Sequence, residues 1–377
     1  MPTITYLTKI QFDFGAIGLI SEELAALGVR RPLVVTDRGV VAVGLADRLA
    51  EHLPEGANLP RFDETPENPT EAAMDQALAL YREAGCDGVI GLGGGSSMDL
   101  AKAVALMATH PGKVKEYMAI EGGAARITDA VAPVIAVPTT AGTGSEVGRG
   151  GVLILNDGRK LAMLSPHLLP KVAICDPELT LGLPPHLTAG TGMDAFAHCV
   201  ETFISPLVNP PAEGIAIEGF RRVVRHIETA VGDGQNREAR WNMMMGAMMG
   251  AMAFQKGLGA VHGMSHPLGA LQDLRLHHGT LNAVCLPAVL RFNADHVEDK
   301  YDRLRQAWDL DPGADLPAAV ADLNQRLGLP ADLRSMGVTD EMIPPLVPQA
   351  MADHTTATNP RPLSDADYAA LFDEAMG

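Results

Sequence analysis

Two segments of the chain gather residues that can bind a metal. Gly192–Ile204 reads GMDAFAHCVETFI, and on a helix Asp194 and His198 stand four residues apart on one face. Their neighbours Ala195, Phe196, Ala197, Cys199, Val200, Phe203 and Ile204 are apolar, which predicts a helix buried nearly all round. A carboxylate and an imidazole buried together need compensation, because an unpaired buried charge is costly. A metal would supply it, and so would a plain Asp–His hydrogen bond. Lys256–Asn282 then adds His262, His266, His277 and His278. His262 and His266 have i,i+4 spacing, but Pro267 disfavours helical backbone at His266 and predicts a break or a new helix start there. One Asp and three His make a site for Fe²⁺, Zn²⁺, Mn²⁺ or Ni²⁺ with positions left for a substrate oxygen. Four structural histidines are the competing reading.

A second set of residues suits a nucleotide. Asp87–Ala108 reads DGVIGLGGGSSMDLAKAVALMA: a buried strand, a glycine-rich turn, then a helix. Gly93, Gly94 and Gly95 let backbone approach a pyrophosphate, and Ser96 or Ser97 would cap a helix whose N-terminus favours the phosphate. The spacing is neither GxGxxG nor a Walker loop, and a tight structural turn is the alternative. Pro138–Glu146 (PTTAGTGSE) follows another buried strand and sets Thr139, Thr140, Thr143 and Ser145 around two glycines as neutral donors. Asp37 ends the strand LVVT, where a carboxylate commonly accepts from ribose hydroxyls and repels a 2′-phosphate. This favours NAD over NADP, although Asp37 and Gly39 also make good turn chemistry.

The elements that must position these residues follow from the hydrophobic pattern. Short apolar runs at Leu33–Thr36, Gly88–Leu92, Val134–Pro138 and Val172–Cys175 alternate with amphipathic stretches such as Ala72–Ala84 and Met98–Ala108. Apolar strands separated by helices predict a parallel sheet covered on both faces. Beyond Pro184–Pro185 the pattern is helical, as in Ala195–Ile204, Gly214–Val231, Arg237–Phe254, Leu281–Phe292 and Pro317–Leu327. The reading is an α/β domain over 1–180 and an all-helical domain over 181–377, with the reaction site expected in the cleft between them. Met243–Met252 (MMMGAMMGAM) reads as core filling rather than a soft-metal groove.

Composition bounds the function classes. The chain has 377 residues and a net charge of −17, which argues against a nucleic-acid partner. No signal peptide or apolar run long enough for a membrane span is visible. Cys86, Cys175, Cys199 and Cys285 are scattered without CxxC spacing, so reduced thiols in a cytoplasm are expected, and Cys199 reads as a buried structural thiol.

Six blocks, in order along nearly the whole chain, resemble the iron-containing (group III) alcohol dehydrogenases: GGGSSMDLAKAVA (Gly93–Ala105), PTTAGTGSEV (Pro138–Val147), GMDAFAHCVE (Gly192–Glu201), GAVHGMSHPLGA (Gly259–Ala270), HHGTLNAVCLP (His277–Pro287) and TNPRPLS (Thr358–Ser364). The resemblance implies a Rossmann-like N-terminal domain and a helical C-terminal domain on a dehydroquinate-synthase-like scaffold. It implies one divalent metal, Fe²⁺ ahead of Zn²⁺, on Asp194, His198, His262 and His278. The stretch QDLRLHH is longer than the family's usual spacing and leaves His277 as a competitor, with Gly279 favouring His278. His266 would stand near nicotinamide and substrate as the proton relay. Asp37, Asn68, Gly94, Gly95, Ser96, Asp99, Thr139, Thr140, Thr143, Ser145, Lys160 and Leu179 would line NAD, or NADP. The implied activity is hydride transfer between nicotinamide and a small primary alcohol or its aldehyde, in a homo-oligomer. Arg149 departs from what a plain short-chain alcohol enzyme needs. A cation there could anchor a carboxylate, which makes a 4-hydroxy acid dehydrogenase or transhydrogenase the alternative; a structural ion pair would explain it equally. A lyase like dehydroquinate synthase fits less well, because the helical half is apolar and Met-rich.

Overall fold

The computed structural model describes residues 8–54, 59–271 and 273–377. The chain divides into two compact units, one made of the described residues up to Thr140 with Gly144–Gly182, the other of Ala141–Thr143 with Leu183–Gly377.

The first unit runs β1 (Lys9–Phe12), α1 (Ile20–Ala26), β2 (Pro32–Val35), α2 (Arg38–Ala42), α3 (Leu45–Glu51), β3 (Arg61–Phe62), α4 (Glu71–Glu83), β4 (Gly88–Gly93), α5 (Gly95–Thr109), β5 (Val134–Pro138), β6 (Gly150–Ile154), β7 (Lys160–Leu164) and β8 (Val172–Cys175). Six strands form one parallel sheet in the order β1-β8-β5-β4-β2-β3. Alternate side chains of each strand go to opposite faces. Leu33, Val35, Val89 and Val134 pack with Met74, Ala77 and Leu78 of α4 and Leu100, Val104 and Met107 of α5. Val34, Ile90, Leu92, Ile135 and Val137 pack with Ile20, Leu24, Val40 and Leu49. Both faces are therefore covered, which is why these strands are apolar throughout rather than alternating. The chain passes from β2 outward to β3 and returns to β4, so the order reverses between β2 and β4. Their carboxyl ends carry Asp37 and the Gly93–Gly95 turn, at the kind of switch point where such sheets hold ligands.

β6 and β7 form a separate antiparallel hairpin. It lies outside the four apolar runs read as strands from the sequence.

The second unit holds α6 (Pro185–Ile204), α7 (Pro210–Gly232), α8 (Arg237–Met252), α9 (Ala260–Gly269), α10 (His278–Ala307), α11 (Leu316–Arg326), α12 (Val347–Ala352) and α13 (Asp365–Met376). α6 is its axis, packed against α7, α8 and α10. Phe196 stands edge-on to Phe220 (4.9 Å) and Trp308 (5.4 Å). Met243, Met244 and Met248 are buried, the core-filling role expected of the methionine run. Two lysines finish α6: Lys256 Nζ donates to the carbonyls of Thr202, Phe203 and Ser205, and Lys300 Nζ to those of Phe203, Ile204 and Ser205. Cations on orphan C-terminal carbonyls also complement the helix dipole.

One expectation needs correction. Pro267 does not break the helix: α9 runs unbroken from Ala260 to Gly269 with Pro267 inside it. The proline lies in the last turn, two residues from the end, so it forfeits a single hydrogen bond where the ladder is about to stop anyway. His262 and His266 consequently share one face, their rings 5.7 Å apart. Among the described residues no helix is long and apolar enough to cross a membrane.

Candidate metal centre and cofactor loops

Three helices aim donors at one point in the helical unit. Asp194, His198 and Glu201 fall on one face of α6 at spacings of four and three. α9 contributes His262, and the first turn of α10 contributes His278. Around Asp194 Oδ1 lie His198 Nε2 at 3.4 Å, His278 Nε2 at 3.7 Å and His262 Nε2 at 3.8 Å. Asp194, His198 and His262 are each 2% exposed, whereas the His278 side chain keeps 23%, so the cluster is reached from that side. Burial pushes His198 down to about 4 and His262 to about 3, against the opposing pull of Asp194. Both rings are therefore neutral at physiological pH, the form that offers a lone pair to a metal.

His277 and His278 have different jobs. His277 is the N-cap of α10, its Nδ1 accepting from the Thr280 amide at 3.3 Å, while His278 turns to Asp194. Gly279 makes this possible: a Cβ there would lie 2.1 Å from the Gly190 carbonyl oxygen, so only glycine lets α10 start against α6.

The donor set fits a cation. The Asn282 amide stands at its centre: Nδ2 donates to Asp194 Oδ1 at 2.7 Å and lies 3.3 Å from Nε2 of both His262 and His278. Two imidazole nitrogens and a carboxylate converge on an NH2 with two hydrogens, and His198 Nε2 faces the same carboxylate at 3.4 Å, so the lone pairs exceed what the amide can satisfy. Asn282 Oδ1 itself is buried without a hydrogen bond. A further carboxylate supports the set: Glu201 Oε2 accepts from His262 Nδ1 at 2.5 Å and Glu201 Oε1 from the Val261 amide at 2.8 Å. That fixes the His262 tautomer with Nε2 toward the centre. Burial pushes Glu201 up to about 8, while the Val261 amide, and the charge that a bound cation would bring, favour the ionised acceptor. Neither Glu201 nor Asn282 was singled out from sequence, although Glu201 is seven residues from Asp194 and Asn282 four from His278.

His266 stacks on His278, centroids 5.5 Å apart and planes 13° from parallel, and its Nδ1 lies 2.8 Å from Asp353 Oδ2. Burial holds the Cys199 thiol well above its ordinary range, as expected of a structural cysteine, and all four cysteines are free.

In the sheet unit, the α5 turn differs from expectation in its cap. Neither Ser96 nor Ser97 caps α5, because the helix already begins at Gly95 and Gly94 is its N-cap without a side-chain acceptor. Ser96 donates instead to the Glu67 carbonyl, and Ser97 Oγ to Asp37 Oδ2 at 3.4 Å. The first amides of α5 thus have no side-chain partner from the cap, which suits an anion. Gly93 has φ +147°, and a Cβ there would meet Ser97 Oγ at 2.6 Å. Asp37 caps α2 through the Val40 amide at 2.9 Å, so the turn chemistry considered for it is present; Oδ2 still faces the glycine turn. Asn68 and Lys160 come together, Nζ donating to Asn68 Oδ1 at 2.9 Å. Thr140 borders Gly94, and the buried Thr139 continues β5, its amide bonded to the Gly93 carbonyl. Thr143, in the stretch grouped with the helical unit, is half-buried.

Asp99, Ser145 and Leu179 are committed internally. Ser145 Oγ donates to Asp99 Oδ1 at 2.5 Å and accepts from Lys102 Nζ at 2.7 Å, while Asp99 Oδ2 takes the Val152 amide at 2.9 Å. Lys102 Nζ also donates to the Gly148 and Gly150 carbonyls at 3.0 and 2.6 Å. Burial pushes Lys102 down to about 8 and its neighbour Glu146 up to about 7. Leu179 is 3% exposed within the apolar cluster under the sheet. Arg149 stands between the two clamped carbonyls, is exposed, and makes no side-chain hydrogen bond or ion pair among the described residues.

Comparison with known proteins accords with this arrangement. The iron-containing alcohol dehydrogenase model matches residues 8–177, and the C-terminal model of the Fe-containing alcohol dehydrogenase family matches 188–376. The chain is 58% identical to the 4-hydroxybutyrate dehydrogenase of Cupriavidus necator, over 100% of both chains. A crystal structure of 1,3-propanediol oxidoreductase superposes with a TM-score of 0.91 at 35% identity, covering 99% of this chain and 100% of that one. The sulfoacetaldehyde reductase of Bifidobacterium kashiwanohense, solved in complex with NAD+, gives 0.89 at 28% identity, covering 100% and 99%. With a parallel-sheet unit, a helical unit carrying a four-donor cluster, and both family models matched, the chain belongs to the iron-containing alcohol dehydrogenase family and is an oxidoreductase acting on CH–OH groups.

Proposed function

We propose that this protein interconverts a 4-hydroxy acid of the 4-hydroxybutyrate type and its semialdehyde, using NAD and one divalent metal, Fe²⁺ ahead of Zn²⁺. The observation that carries the reading is the convergence of His198, His262 and His278 on Asp194 Oδ1 within 3.4–3.8 Å. Asp194, His198, His262 and His278 would hold the cation. When bound, the cation supplies Lewis acidity to the substrate oxygen, and nicotinamide supplies the hydride acceptor or donor. The uncapped start of α5 after Gly94 and Gly95 would take the pyrophosphate with backbone amides, which an acidic chain needs in place of a basic groove. Thr139, Thr140, Thr143, Asn68 and Lys160 would border the cofactor, and Asp37 Oδ2 the adenosine ribose. His266, its Nδ1 engaged with Asp353, offers Nε2 to the substrate hydroxyl proton during oxidation.

The substrate class rests on Arg149 together with the 58% identity to a 4-hydroxybutyrate dehydrogenase. Lys102 fixes the backbone on both sides of Arg149 while the guanidinium stays uncommitted, a fork suited to a carboxylate. This raises the hydroxy acid over the plain primary alcohol, which the blocks of family resemblance favour by themselves.

The test is NADH oxidation by anaerobically purified enzyme loaded with Fe²⁺ or Zn²⁺, offered succinic semialdehyde, butanal and acetaldehyde. Preference for succinic semialdehyde is expected. Arg149→Gln should raise KM for it at least tenfold and leave butanal unaffected. Equal use of butanal and succinic semialdehyde by the wild type would overturn the substrate class. Metal-bound enzyme inert toward every aldehyde would overturn the reaction.

A further inference from the structure

We propose that Asp353 is a positioning residue for His266, holding the imidazole in its Nδ1–H tautomer with Nε2 turned to the reacting centre. The proposal rests on the reading above, in which His266 takes the substrate proton. Asp353 lies 87 residues from His266, just past α12, and both side chains are about 10% exposed. Its two oxygens are divided. Oδ2 faces His266 Nδ1 at 2.8 Å, and Oδ1 is locked by the Thr355 amide at 2.9 Å and the Thr355 hydroxyl at 2.6 Å. The backbone is held too, since the Asp353 amide donates to the Ala350 carbonyl at 3.1 Å and its carbonyl accepts from the Thr356 amide at 3.2 Å.

A carboxylate so fixed can only accept, so the nitrogen facing it must carry the hydrogen, and in the neutral ring that leaves the lone pair on Nε2. Burial alone would raise the Asp353 carboxyl; the adjacent His266 and the Thr355 hydroxyl nevertheless keep it below the ordinary carboxylate range, as an ion. The ring plane is set independently. His266 stacks with both His278 and His354, with centroids 5.5 and 5.9 Å away and planes within 16° of parallel. Stacking fixes the plane but not which nitrogen points where, because a ring flipped by 180° stacks equally well. The carboxylate resolves that ambiguity. Without it, the alternative tautomer would present N–H, and the flipped ring C–H, where a proton acceptor is required.

The experiment uses the full-length metal-loaded enzyme and a double-mutant cycle of Asp353→Asn with His266→Gln. Asp353→Asn should lower kcat about 10–100-fold, the scale of losing an orienting partner, with KM and metal content at wild-type values. On the His266→Gln background the same change should cost less than about twofold in kcat. Asp353→Glu, which keeps an anionic acceptor, should recover part of the loss. Equal losses in both backgrounds, or loss of metal together with kcat, would make Asp353 merely structural and overturn the proposal. A second measurement does not depend on variants that fold: ¹⁵N NMR of the His266 ring in the Zn²⁺ form should show Nδ1 protonated, and an Nε2–H tautomer would overturn it. If His266→Gln itself leaves kcat unchanged, the proton-relay reading fails, while the NMR result still decides whether Asp353 sets the tautomer.

Discussion

Glu201→Gln is a sharp perturbation of the metal centre, because the two side chains are the same size and differ in one group. In the wild type both carboxylate oxygens face donors: Oε1 takes the Val261 amide at 2.8 Å and Oε2 takes His262 Nδ1 at 2.5 Å. A glutamine has one acceptor and one NH2, so either rotamer sets a donor against a donor in a place 1% exposed to water. A buried donor left unsatisfied costs about 1–3 kcal/mol. The helical unit should therefore lose a few degrees in unfolding temperature, at roughly 2–4 °C per kcal/mol for a unit of this size. The effect on metal is separate and larger in its consequence. If the amide keeps Val261 and turns its NH2 to His262, the imidazole is driven to the tautomer that removes the lone pair from Nε2. If it keeps His262, the acceptor is neutral rather than anionic. Either way the affinity for the cation should fall about 10–100-fold, the range for removing an outer partner of a ligating histidine.

The assay is competition against a chelator of known affinity, followed by metal analysis, with apo-protein unfolding measured in parallel. A variant with wild-type metal affinity would refute the claim that Glu201 orients His262 as a ligand, whatever happened to its stability. A variant with unchanged affinity and unchanged unfolding temperature would further show that the 2.5 Å contact is not made in solution.

Three other predictions follow from contacts around the two loops and the α6–α10 junction. Gly279→Ala places a Cβ 2.1 Å from the Gly190 oxygen, so α10 must move off α6; destabilisation of about 1–3 kcal/mol and loss of bound metal are expected, and full metal occupancy would contradict the assignment of His278. Lys102→Met leaves Asp99 buried without its cation and frees the Gly148 and Gly150 carbonyls; a loss of about 3–5 kcal/mol and faster hydrogen exchange at residues 145–152 are expected, and wild-type exchange there would refute the clamp. Glu146 should make stability fall as pH rises between 4.5 and about 7. Its folded pKa is raised by burial, so its contribution is fully present below the unfolded value and lost through the folded one. Denaturant titrations at pH 5 and pH 7.5 should show Glu146→Gln losing less than wild type over this interval, by at most about 1.4 kcal/mol per pH unit, and parallel losses would reject it.

The sheet was legible because burial on both faces writes itself as uninterrupted apolar strands, and Leu33–Thr36, Gly88–Leu92, Val134–Pro138 and Val172–Cys175 all reappear within a residue or two. The β6–β7 hairpin was less visible, since Lys160–Leu164 is only half-buried and carries no alternation to mark a strand. Pro267 misled because the rule against proline in helices weighs the lost hydrogen bond without knowing where the helix ends. The α5 cap misled for a related reason: with Gly94 already at the cap position, the two serines fall inside the first turn. Motif identity also says nothing about which way a side chain turns. Asp99 and Ser145 stand in blocks that resemble a cofactor loop, and the bonds they make to each other, to Lys102 and to the Val152 amide are not announced by the motif.

What the pattern could not supply was the outer support of the donors, and the reason is geometric. Asp194 and His198 announce themselves by sharing a turn, but Asp353 meets His266 across 87 residues and Glu201 meets His262 across 61. A local signal nevertheless exists. α6 is apolar on nearly every face and still carries Asp194, His198 and Glu201 buried to within 2% of zero exposure. Three ionisable groups on one stripe of a buried helix cannot all be satisfied by one another, because two are carboxylates and one is an imidazole that burial keeps neutral. The deficit has to be met by cations or donors arriving from elsewhere in the chain. Read this way, Glu201 demands a donor as strictly as Asp194 demands a cation, and the histidines of α9 and α10 are the residues able to answer both: His262 gives Nδ1–H to Glu201 and leaves Nε2 to face Asp194.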